Sequence, residues 1–509
     1  MSDIKKLNYY AGGRWMESTT NTYTNVFNPS TGDVLALAPA CTEAEVNIAV
    51  AAAKEAYADW ARVPVMRRVQ VLYKLKGLLE KNYDELTLLC ASEHGKNWSE
   101  AVGDIAKVVE SVELACGTPS LMLGESLMNT SKGFDTVMYR EPIGVFVGIA
   151  PFNFPGMIPM GWMAPLCIAT GNTIVIKASH VTPLTSMRIA ELWEEAGLPA
   201  GVLNVITSAN DEAELFLKHP DVKGVSFVGS TRVGLHVYSV AADHGKRVQA
   251  QTEAKNHALV LEDAALERSA RGIINAAFGC AGERCMALPV VVAQESIADR
   301  LVELLVQYAS ELRIGPAYEK DTQLGPVVSE AHRKSVTAWI EKGIGEGAKL
   351  ILDGRDHVVV GYEDGFYLGP TVFDHVTPEM TIGESEIFGP VLCVKRVKDF
   401  EEGITLMNKS RFANGSVIYT QSGYYSREFA YRTHGGMVGI NVGIPVPVSV
   451  FPFSGHKDSF FSDLHVLGKD GVRFFTEAKA VTTTWFDEEE KKNQNVDSWD
   501  GALGGGTGK

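Results

Sequence analysis

The sequence predicts an α/β protein built on parallel sheets that are covered on both faces. Between residues 139 and 228, four short apolar runs alternate with stretches that have helical spacing. Short strands that are apolar on both faces and alternate with helices are typical of a buried parallel sheet, as in nucleotide-binding domains. The predicted strands of this block are 144–150, 172–177, 202–206 and 224–228.

A second α/β block is predicted from about residue 256 to 450, because strand-like apolar pieces recur there. In chain order, the other predicted elements are a β-like segment at 9–16, helices at 42–61, 65–79, 185–196 and 211–217, and strands at 290–293 and 391–395. The acidic and then glycine-rich end of the chain, 489–509, is expected to form a flexible tail.

The length and charge of the chain disfavour several classes of protein. A chain of 509 residues is too long for one compact core and favours roughly two to four domains. Its 47 basic and 62 acidic residues give a net charge of −15, which disfavours nucleic acid and anionic membranes as partners. The longest apolar stretch, 143–170, contains Asn153 and four prolines, so it does not predict a membrane-spanning helix. Because the polar N-terminus also differs from a signal peptide, we expect a cytoplasmic protein.

The seven cysteines do not form a recognisable framework. Their number is odd, and no Cys-x-x-Cys pair or His-rich cluster accompanies them. This pattern argues against disulfides and against a structural zinc site, so the sequence predicts no metal site. The default expectation for each cysteine is a reduced, buried side chain.

Two segments carry candidate chemistry. Residues 227–234 join a predicted strand to a predicted helix, and an anion could lie at that helix N-terminus. The spacing is not Gly-x-Gly-x-x-Gly, so a simple tight turn explains it equally well. Residues 278–287 place two glycines near Cys285, and Arg284 adds a cation that can lower a thiol pKa. For a cysteine in such a segment, packing is still the more common role.

Taken together, five segments resemble the aldehyde dehydrogenase superfamily in its own order, over nearly the whole chain. They are Ala-Pro-Phe-Asn-Phe-Pro at 150–155, Ile-Lys-Ala-Ser at 176–179, Phe-Val-Gly-Ser at 227–230, Ala-Gly-Glu-Arg-Cys-Met-Ala at 281–287 and Glu-Ile-Phe-Gly-Pro at 386–390. Within the superfamily the chain is most similar to the CoA-acylating branch, that of the methylmalonate-semialdehyde dehydrogenases. The segments that carry this finer resemblance are 120–125, 245–250, 254–257, 439–447 and 453–455.

The resemblance implies an aldehyde dehydrogenase-like α/β fold, with two Rossmann-type domains and a small β oligomerisation element. The implied parts are a nucleotide-binding domain at 1–120 and 141–253, a catalytic domain at 254–477, an oligomerisation element at 121–140 and 478–488, and the tail at 489–509. A homodimer or homotetramer is expected, because pairing with a neighbouring chain would cover edge strands.

The resemblance also implies roles for individual residues. Cys285 would attack the aldehyde carbon as a thiolate, and the Asn153 side-chain amide, with the Cys285 backbone amide, would hold the resulting oxyanion. Hydride transfer to a nicotinamide would leave a thioester. Arg284 and Lys107 would bind an anionic group of the substrate. The residues implied in binding NAD are Ala150, Phe152, Lys177, His180, Gly229, Ser230, Thr252, Glu386 and Phe388.

Three departures from the superfamily pattern affect the expected chemistry. Gln251 stands where ordinary members have a general-base glutamate, so water attack on the thioester should be slow, whereas the more acidic thiol of CoA needs less help. Glu253, two residues later, introduces a carboxylate that could restore a base. His180 replaces a glutamate that would accept hydrogen bonds from the adenosine ribose, so NAD is expected while NADP use stays open.

A fourth departure concerns the substrate. Lys107 replaces an arginine of the branch, which keeps the charge but loses the bidentate grip on a carboxylate. We therefore expect oxidation of malonate or methylmalonate semialdehyde with NAD and CoA, giving acetyl-CoA or propionyl-CoA. One alternative is NAD(P)-dependent oxidation of another short carboxylated or sulfonated aldehyde to the free acid. A third, from another class, is a catalytically silent structural protein on the same fold.

Overall fold

The computed structural model describes residues 4–131 and 133–492 of the chain. Its strands are β1 (Tyr9–Ala11), β2 (Arg14–Met16), β3 (Tyr23–Phe27), β4 (Val34–Pro39), β5 (Ser126–Ser131), β6 (Phe134–Pro142), β7 (Val145–Ile149), β8 (Thr173–Ala178), β9 (Leu203–Thr207), β10 (Val222–Val228), β11 (Arg247–Gln251), β12 (His257–Val260), β13 (Val290–Gln294), β14 (Lys349–Leu352), β15 (Thr371–Asp374), β16 (Val391–Val397), β17 (Phe412–Ala413), β18 (Gly415–Tyr419), β19 (Met437–Ile440), β20 (His456–Lys457), β21 (Phe460–Phe461) and β22 (Thr476–Thr484).

The α-helices of the described residues are α1 (Glu43–Trp60), α2 (Val65–Lys81), α3 (Tyr83–His94), α4 (Trp98–Cys116), α5 (Thr118–Leu121), α6 (Ala164–Ala169), α7 (Leu184–Glu195), α8 (Asn210–Lys218), α9 (Thr231–Asp243), α10 (Leu266–Phe278), α11 (Glu295–Ser310), α12 (Glu330–Gly345), α13 (Phe400–Lys409), α14 (Gly423–Arg432) and α15 (Gly468–Phe474). A π-helical turn (Met157–Met163) precedes α6, and short 3₁₀ turns lie at Gly279–Gly282, Thr381–Gly383 and Glu490–Lys492.

The first sheet confirms the predicted parallel block. Within the described residues its order is β2-β1-β9-β8-β7-β10-β11-β21, and β9, β8, β7, β10 and β11 are all parallel neighbours. Every residue of β7, β8 and β9 is buried, as a sheet covered by helices on both faces requires. The carboxyl ends of these parallel strands therefore meet at one edge.

The second sheet confirms the second α/β block. Its order is β14-β15-β16-β13-β12-β18-β19 within the described residues, and only the pairing of β14 with β15 is antiparallel. The predicted strands at 290–293 and 391–395 correspond to β13 and β16. Two α/β sheets of this kind confirm the predicted fold class.

A third, three-stranded sheet stands apart from both. β22 pairs with β6 in an antiparallel register that runs from Thr476 opposite Pro142 to Thr484 opposite Phe134, and β5 adds to the other side of β6. This sheet lies where the oligomerisation element was predicted, although its strands extend to Pro142 and begin at Thr476. Residue 121 belongs to α5 instead. The predicted domain boundaries and the role in oligomerisation stay predictions.

Other sequence expectations can be compared directly with the described residues. The predicted helices at 42–61, 65–79, 185–196 and 211–217 correspond to α1, α2, α7 and α8, and the β-like segment 9–16 is the hairpin of β1 and β2. Helix α3 and helix α4, the second of which carries residues of the site, were not predicted. Of the predicted tail, residues 493–509 lie outside the described part of the chain.

The apolar stretch 143–170 is divided among β7, the π-helical turn and α6. In the described ranges, no helix is both long enough and apolar enough to cross a membrane. All seven cysteines are free thiols, and six of them are buried while Cys285 is half-buried.

Candidate active site

The predicted catalytic and cofactor-binding residues gather where the first two sheets meet. Ala150, Lys177 and Gly229 lie at the carboxyl ends of β7, β8 and β10 in the first sheet. In the second sheet, the segments that contain Cys285 and Glu386 lead into the amino ends of β13 and β16. The carboxyl ends of the strands in the first sheet thus face the amino ends of the strands in the second sheet across a cleft.

An unusual turn places Cys285 in this cleft. Cys280, Ala281 and Gly282 all have positive φ angles, of 51°, 52° and 76°. A Cβ on Gly282 would lie 2.2 Å from the carbonyl oxygen of Gly389, so glycine is needed for the close approach of the two segments. Cys285, Glu386 and Phe388 consequently line the same narrow cleft.

The thiol of Cys285 is not activated in this state. Burial raises its pKa to about 12, and the nearby carboxylate of Glu386 adds to this effect. Arg284 lowers the pKa, as the sequence suggested, but its contribution is smaller than that of burial. The pKa of Glu386 is itself raised to about 8, chiefly by burial and also by the charge of Glu253. The cleft therefore favours neutral forms of both groups.

Asn153 reaches across to the segment of the nucleophile. Its Nδ2 donates a hydrogen bond of 3.1 Å to the carbonyl oxygen of Glu283, two residues before Cys285. The side chain is 3 % exposed, and its second amide proton has no acceptor among the hydrogen bonds of the described residues. An amide held this close to the nucleophile suits stabilisation of an oxyanion.

A buried ion pair that the sequence did not predict holds the backbone of Asn153. Lys96 and Asp104 are fully buried and lie 3.0 Å apart (Nζ to Oδ2). Lys96 Nζ also donates to the carbonyl oxygen of Asn153 at 2.6 Å, and Asp104 Oδ1 accepts from the backbone amide of Met157 at 2.6 Å. The one available signal in the sequence is an aspartate on the otherwise apolar face of α4, beside Ala101 and Ile105.

The two cations predicted to bind the substrate already have carboxylate partners. Arg284, 6 % exposed, donates two bonds to Glu100 (2.9 and 3.1 Å) and two to the carbonyl oxygens of Asn275 and Ala276. A substrate carboxylate would therefore have to compete with Glu100, and these contacts favour a structural role for Arg284.

Lys107 lies on α4 and is about 29 % exposed. Its Nζ is 2.7 Å from a carboxylate oxygen of Glu110, which also accepts a 2.5 Å bond from the backbone amide of Ser449. Glu110 thereby links α4 to the loop at 439–451, where the finer resemblance lies. The predicted substrate contact of Lys107 stays a prediction.

On the cofactor side, Lys177 and His180 lie together at the end of β8. Burial lowers the pKa of Lys177 to about 8, and both burial and the charge of Lys177 lower the pKa of His180. The Nδ1 atom of His180 is buried without a hydrogen-bond partner among the described residues. Buried polar groups of this kind suit a bound polar ligand.

The turn between β10 and α9 is tightly packed. A Cβ on Gly229 would lie 2.6 Å from the ring of Phe227. Ser230 is the N-cap residue of α9, and its hydroxyl does not cap the helix. The amides at this helix N-terminus suit an anion such as a phosphate, and the predicted cofactor contacts of Gly229 and Ser230 stay predictions. Thr252 closes the same region and donates from its hydroxyl to the carbonyl oxygen of Asp458 at 2.7 Å.

The rings of Phe152 and Phe388 pack edge to face with centroids 5.8 Å apart. Phe388 has a φ of 61°, and His332 Nε2 lies 2.7 Å from its carbonyl oxygen. The two predicted cofactor residues thus form one aromatic wall, and His332 holds the strained part of it. The same His332 lies 3.4 Å from the buried carboxyl group of Glu283.

Gln251 and Glu253 occupy different environments. Gln251 is 3 % exposed, and its Nε2 donates to the carbonyl oxygen of Phe453 at 3.3 Å. Glu253 is half-buried, and its charge acts on Glu386. A carboxamide cannot accept a proton from water. The carboxylate that acts on Cys285 is that of Glu386, and Glu253 acts in turn on Glu386.

The geometry can be compared with known proteins. The chain is 51 % identical over 482 residues to malonate-semialdehyde dehydrogenase 1 of Geobacillus thermodenitrificans, covering 95 % of this chain and 99 % of the relative. It is 40 % identical to the methylmalonate-semialdehyde dehydrogenase structure from Oceanimonas doudoroffii, with a TM-score of 0.94 and coverage of 96 % and 100 %. A structure from Sinorhizobium meliloti 1021, named for the same enzyme class and solved with NAD, is 42 % identical, with a TM-score of 0.94 and coverage of 96 % and 99 %.

The model of the aldehyde dehydrogenase family matches residues 15–481, which include the whole second sheet, the five parallel strands of the first sheet and every predicted site residue. The chain belongs to the aldehyde dehydrogenase family.

Proposed function

We propose that the protein oxidises malonate semialdehyde or methylmalonate semialdehyde with NAD and CoA, giving acetyl-CoA or propionyl-CoA with loss of CO₂. The observation that carries the proposal is the hydrogen bond from Asn153 to the segment of Cys285, together with Gln251 in place of a base. The names of relatives that are about half identical over 95 % of the chain support the substrate class.

In this mechanism Cys285 loses its proton and its sulfur forms a bond to the aldehyde carbon. Asn153 Nδ2 and the Cys285 backbone amide donate to the oxyanion that develops. When bound, the nicotinamide of NAD accepts the hydride, and a thioester is left on Cys285. Lys177, His180, Ser230 and the aromatic wall of Phe152 and Phe388 would hold the cofactor, and the unpartnered Nδ1 atom of His180 fits such a group.

The thioester first loses CO₂, because the bond between its α-carbon and the substrate carboxylate breaks and the α-carbon takes up a proton from solvent. The remaining acyl group is then released to the thiol of CoA. The CoA sulfur bonds to the acyl carbon and the Cys285 sulfur leaves as thiolate, so neither transfer requires the protein to activate water. Gln251 suits this route because it cannot act as a base. The absence of a base at this position therefore favours acyl transfer over hydrolysis.

A second candidate function is hydrolysis to the free acid. One observation favours it, namely that Glu253 lies close enough to Glu386 to raise its pKa. If Glu253 is the base, Glu253→Gln should slow the steady state and leave the first burst of NADH intact. An unchanged steady state in that variant would remove this candidate.

The proposal is tested by NADH formation from malonate semialdehyde, methylmalonate semialdehyde and propionaldehyde in the presence of CoA. We expect the two carboxylated aldehydes to be used with the higher kcat/KM. A preference for the uncharged aldehyde would contradict the proposed substrate class, and no NADH from any aldehyde would favour a catalytically silent protein.

We also propose a cytoplasmic homodimer or homotetramer that forms through the sheet of β5, β6 and β22. This sheet exposes the apolar side chains of Leu127, Met128 and Tyr139 (63 %, 82 % and 53 % exposed), which a second copy would cover. Light scattering at micromolar concentration should give a multimeric mass, and a monomeric mass would contradict the proposal.

A further inference from the structure

Two buried asparagines hold the backbone carbonyl oxygen of Cys285. Nδ2 of Asn256 donates to this oxygen at 2.8 Å, and Nδ2 of Asn414 donates to it at 3.2 Å. Each of the two asparagines is 2 % exposed, and neither has a part in the mechanism proposed above. An oxygen that accepts from two amide groups inside the protein is fixed in direction, so the backbone at the nucleophile has little freedom to turn.

The second sheet brings the two side chains to the same oxygen. Asn256 immediately precedes β12 and Asn414 immediately precedes β18, and these strands are parallel neighbours whose amino ends face the cleft. Asn256 also donates to the carbonyl oxygen of Ala287 and accepts from the backbone amide of Gly415, both at 2.8 Å. Since carbonyl oxygens only accept and backbone amides only donate, these bonds fix the orientation of the Asn256 side chain.

The carbonyl group of Cys285 and the backbone N–H group of Met286 belong to one peptide unit. In a planar trans peptide these two groups point in opposite directions. Holding the oxygen on the side of the asparagines therefore directs the N–H group of Met286 to the other side. The backbone N–H groups of Met286 and Cys285 both act on the Cys285 sulfur as hydrogen-bond donors and lower the pKa of the thiol.

We propose that Asn256 and Asn414 are positioning residues for the nucleophile, which orient the peptide between Cys285 and Met286 so that its N–H group faces the sulfur. This arrangement stabilises the thiolate when it attacks the aldehyde and again when it leaves the thioester. The two hydrogen bonds to the carbonyl oxygen also polarise the peptide unit, which strengthens its N–H group as a donor. The inference rests on the proposed function only in taking Cys285 as the nucleophile.

The test is the rate at which iodoacetamide alkylates Cys285 in the full-length protein, at pH 8 and at pH 9, without aldehyde or cofactor. Trypsin cleaves after Arg284 and so places Cys280 and Cys285 in different peptides, which mass spectrometry quantifies separately. Only the thiolate reacts, and a pKa higher by about one unit lowers the thiolate fraction about 10-fold. The greater intrinsic nucleophilicity of the more basic thiolate recovers part of this loss, which leaves a fall in rate of about 3-fold.

Asn256→Ala should slow alkylation of Cys285 by about 3-fold or more at both pH values, because it frees the peptide that follows the nucleophile. Asn414→Ala removes the longer bond to the same oxygen and should slow the reaction less, and it tests the inference even where Asn256→Ala does not fold. Glu386 and Arg284, the charged groups that also act on this thiol, are unchanged in both variants. Loosened packing would speed alkylation instead, because burial is the main cause of the raised pKa of Cys285.

Asn204→Ala is the matched control. Asn204 is fully buried in β9 of the first sheet, where its Nδ2 donates to the carbonyl oxygen of Gly201 at 2.8 Å. Its Oδ1 accepts from the backbone amide of Gly12 at 2.9 Å, so the change removes a similar set of bonds away from the nucleophile. Alkylation of Cys285 should keep its rate in this variant.

An unchanged or faster alkylation of Cys285 in the folded asparagine variants would overturn the inference, and so would an equal slowing in Asn204→Ala. The assay uses neither aldehyde nor NAD, so the two proposals fail separately. If the inference fails while the unsubstituted protein forms NADH from malonate semialdehyde, the proposed function stands without it. If no aldehyde yields NADH, the proposed function is overturned, and the alkylation rates still decide whether the two asparagines act on the thiol.

Discussion

The buried ion pair of Lys96 and Asp104 leads to a prediction about catalysis, because Lys96 holds the backbone of Asn153. Lys96→Met removes the charge that compensates Asp104 and the donor to the carbonyl oxygen of Asn153. Breaking one side of a fully buried ion pair costs about 3 to 5 kcal/mol, because the remaining charge stays in a medium of low polarity. The variant should therefore be destabilised by about that amount.

The same change should also affect catalysis. If Asn153 is displaced from the position set by Lys96, its amide no longer meets the developing oxyanion, and loss of one such donor lowers kcat by about 10²- to 10³-fold. KM for NAD should change little, since Lys96 contacts Asn153 and not the end of β8. A fall in kcat without a matching change in KM is what a positioning role predicts.

The assay combines guanidinium denaturation, followed by tryptophan fluorescence, with steady-state NADH formation below the temperature of unfolding. Lys54→Met is the control, because Lys54 forms an exposed pair with Asp221 at 2.7 Å and such pairs contribute about 1 kcal/mol or less. If Lys96→Met is no more destabilising than Lys54→Met, or keeps full kcat, the reasoning is refuted.

Three further predictions concern the nucleophile and its neighbours. Cys285→Ala should abolish NADH formation and leave NAD binding, measured by calorimetry, nearly unchanged, whereas Cys280→Ala should keep most activity. Substantial turnover by Cys285→Ala would contradict the assignment of Cys285 as the nucleophile. Burial and Glu253 raise the pKa of Glu386 to about 8, so Glu386 is ionised at pH 9 and its charge opposes formation of the Cys285 thiolate. Glu386→Gln should therefore speed alkylation of Cys285 by iodoacetamide at pH 9. The control Glu384→Gln should leave that rate unchanged. Arg284→Leu should raise KM for carboxylated and uncharged aldehydes alike, since Arg284 is bound to Glu100; an increase confined to the carboxylated aldehyde would show a substrate contact.

The fold could be predicted well where local pattern determines structure. The apolar runs that became β7, β8, β9 and β10 are buried on both faces, so their composition alone indicates a parallel sheet. Helix α4 was not predicted, although Ala101, Ile105, Val108 and Val112 recur at helical spacing and are buried.

The candidate site could be predicted only through motifs. Cys285 and Asn153 were found because they lie in recognisable segments, whereas Lys96, Glu100 and Asp104 act through contacts between residues far apart in sequence. Lys96 and Asn153 are separated by 57 positions, and Glu100 and Arg284 by 184. No spacing rule predicts such contacts, so nothing in the sequence indicates that Arg284 pairs with Glu100.

The central claim is that the thioester on Cys285 is released to CoA and not to water. Mass spectrometry of the products formed from malonate semialdehyde and NAD, with and without CoA, tests it most directly. We predict that CoA speeds the steady state and that acetyl-CoA forms in a one-to-one ratio with NADH. A rate that is independent of CoA, with the free acid as the sole product, would contradict the account.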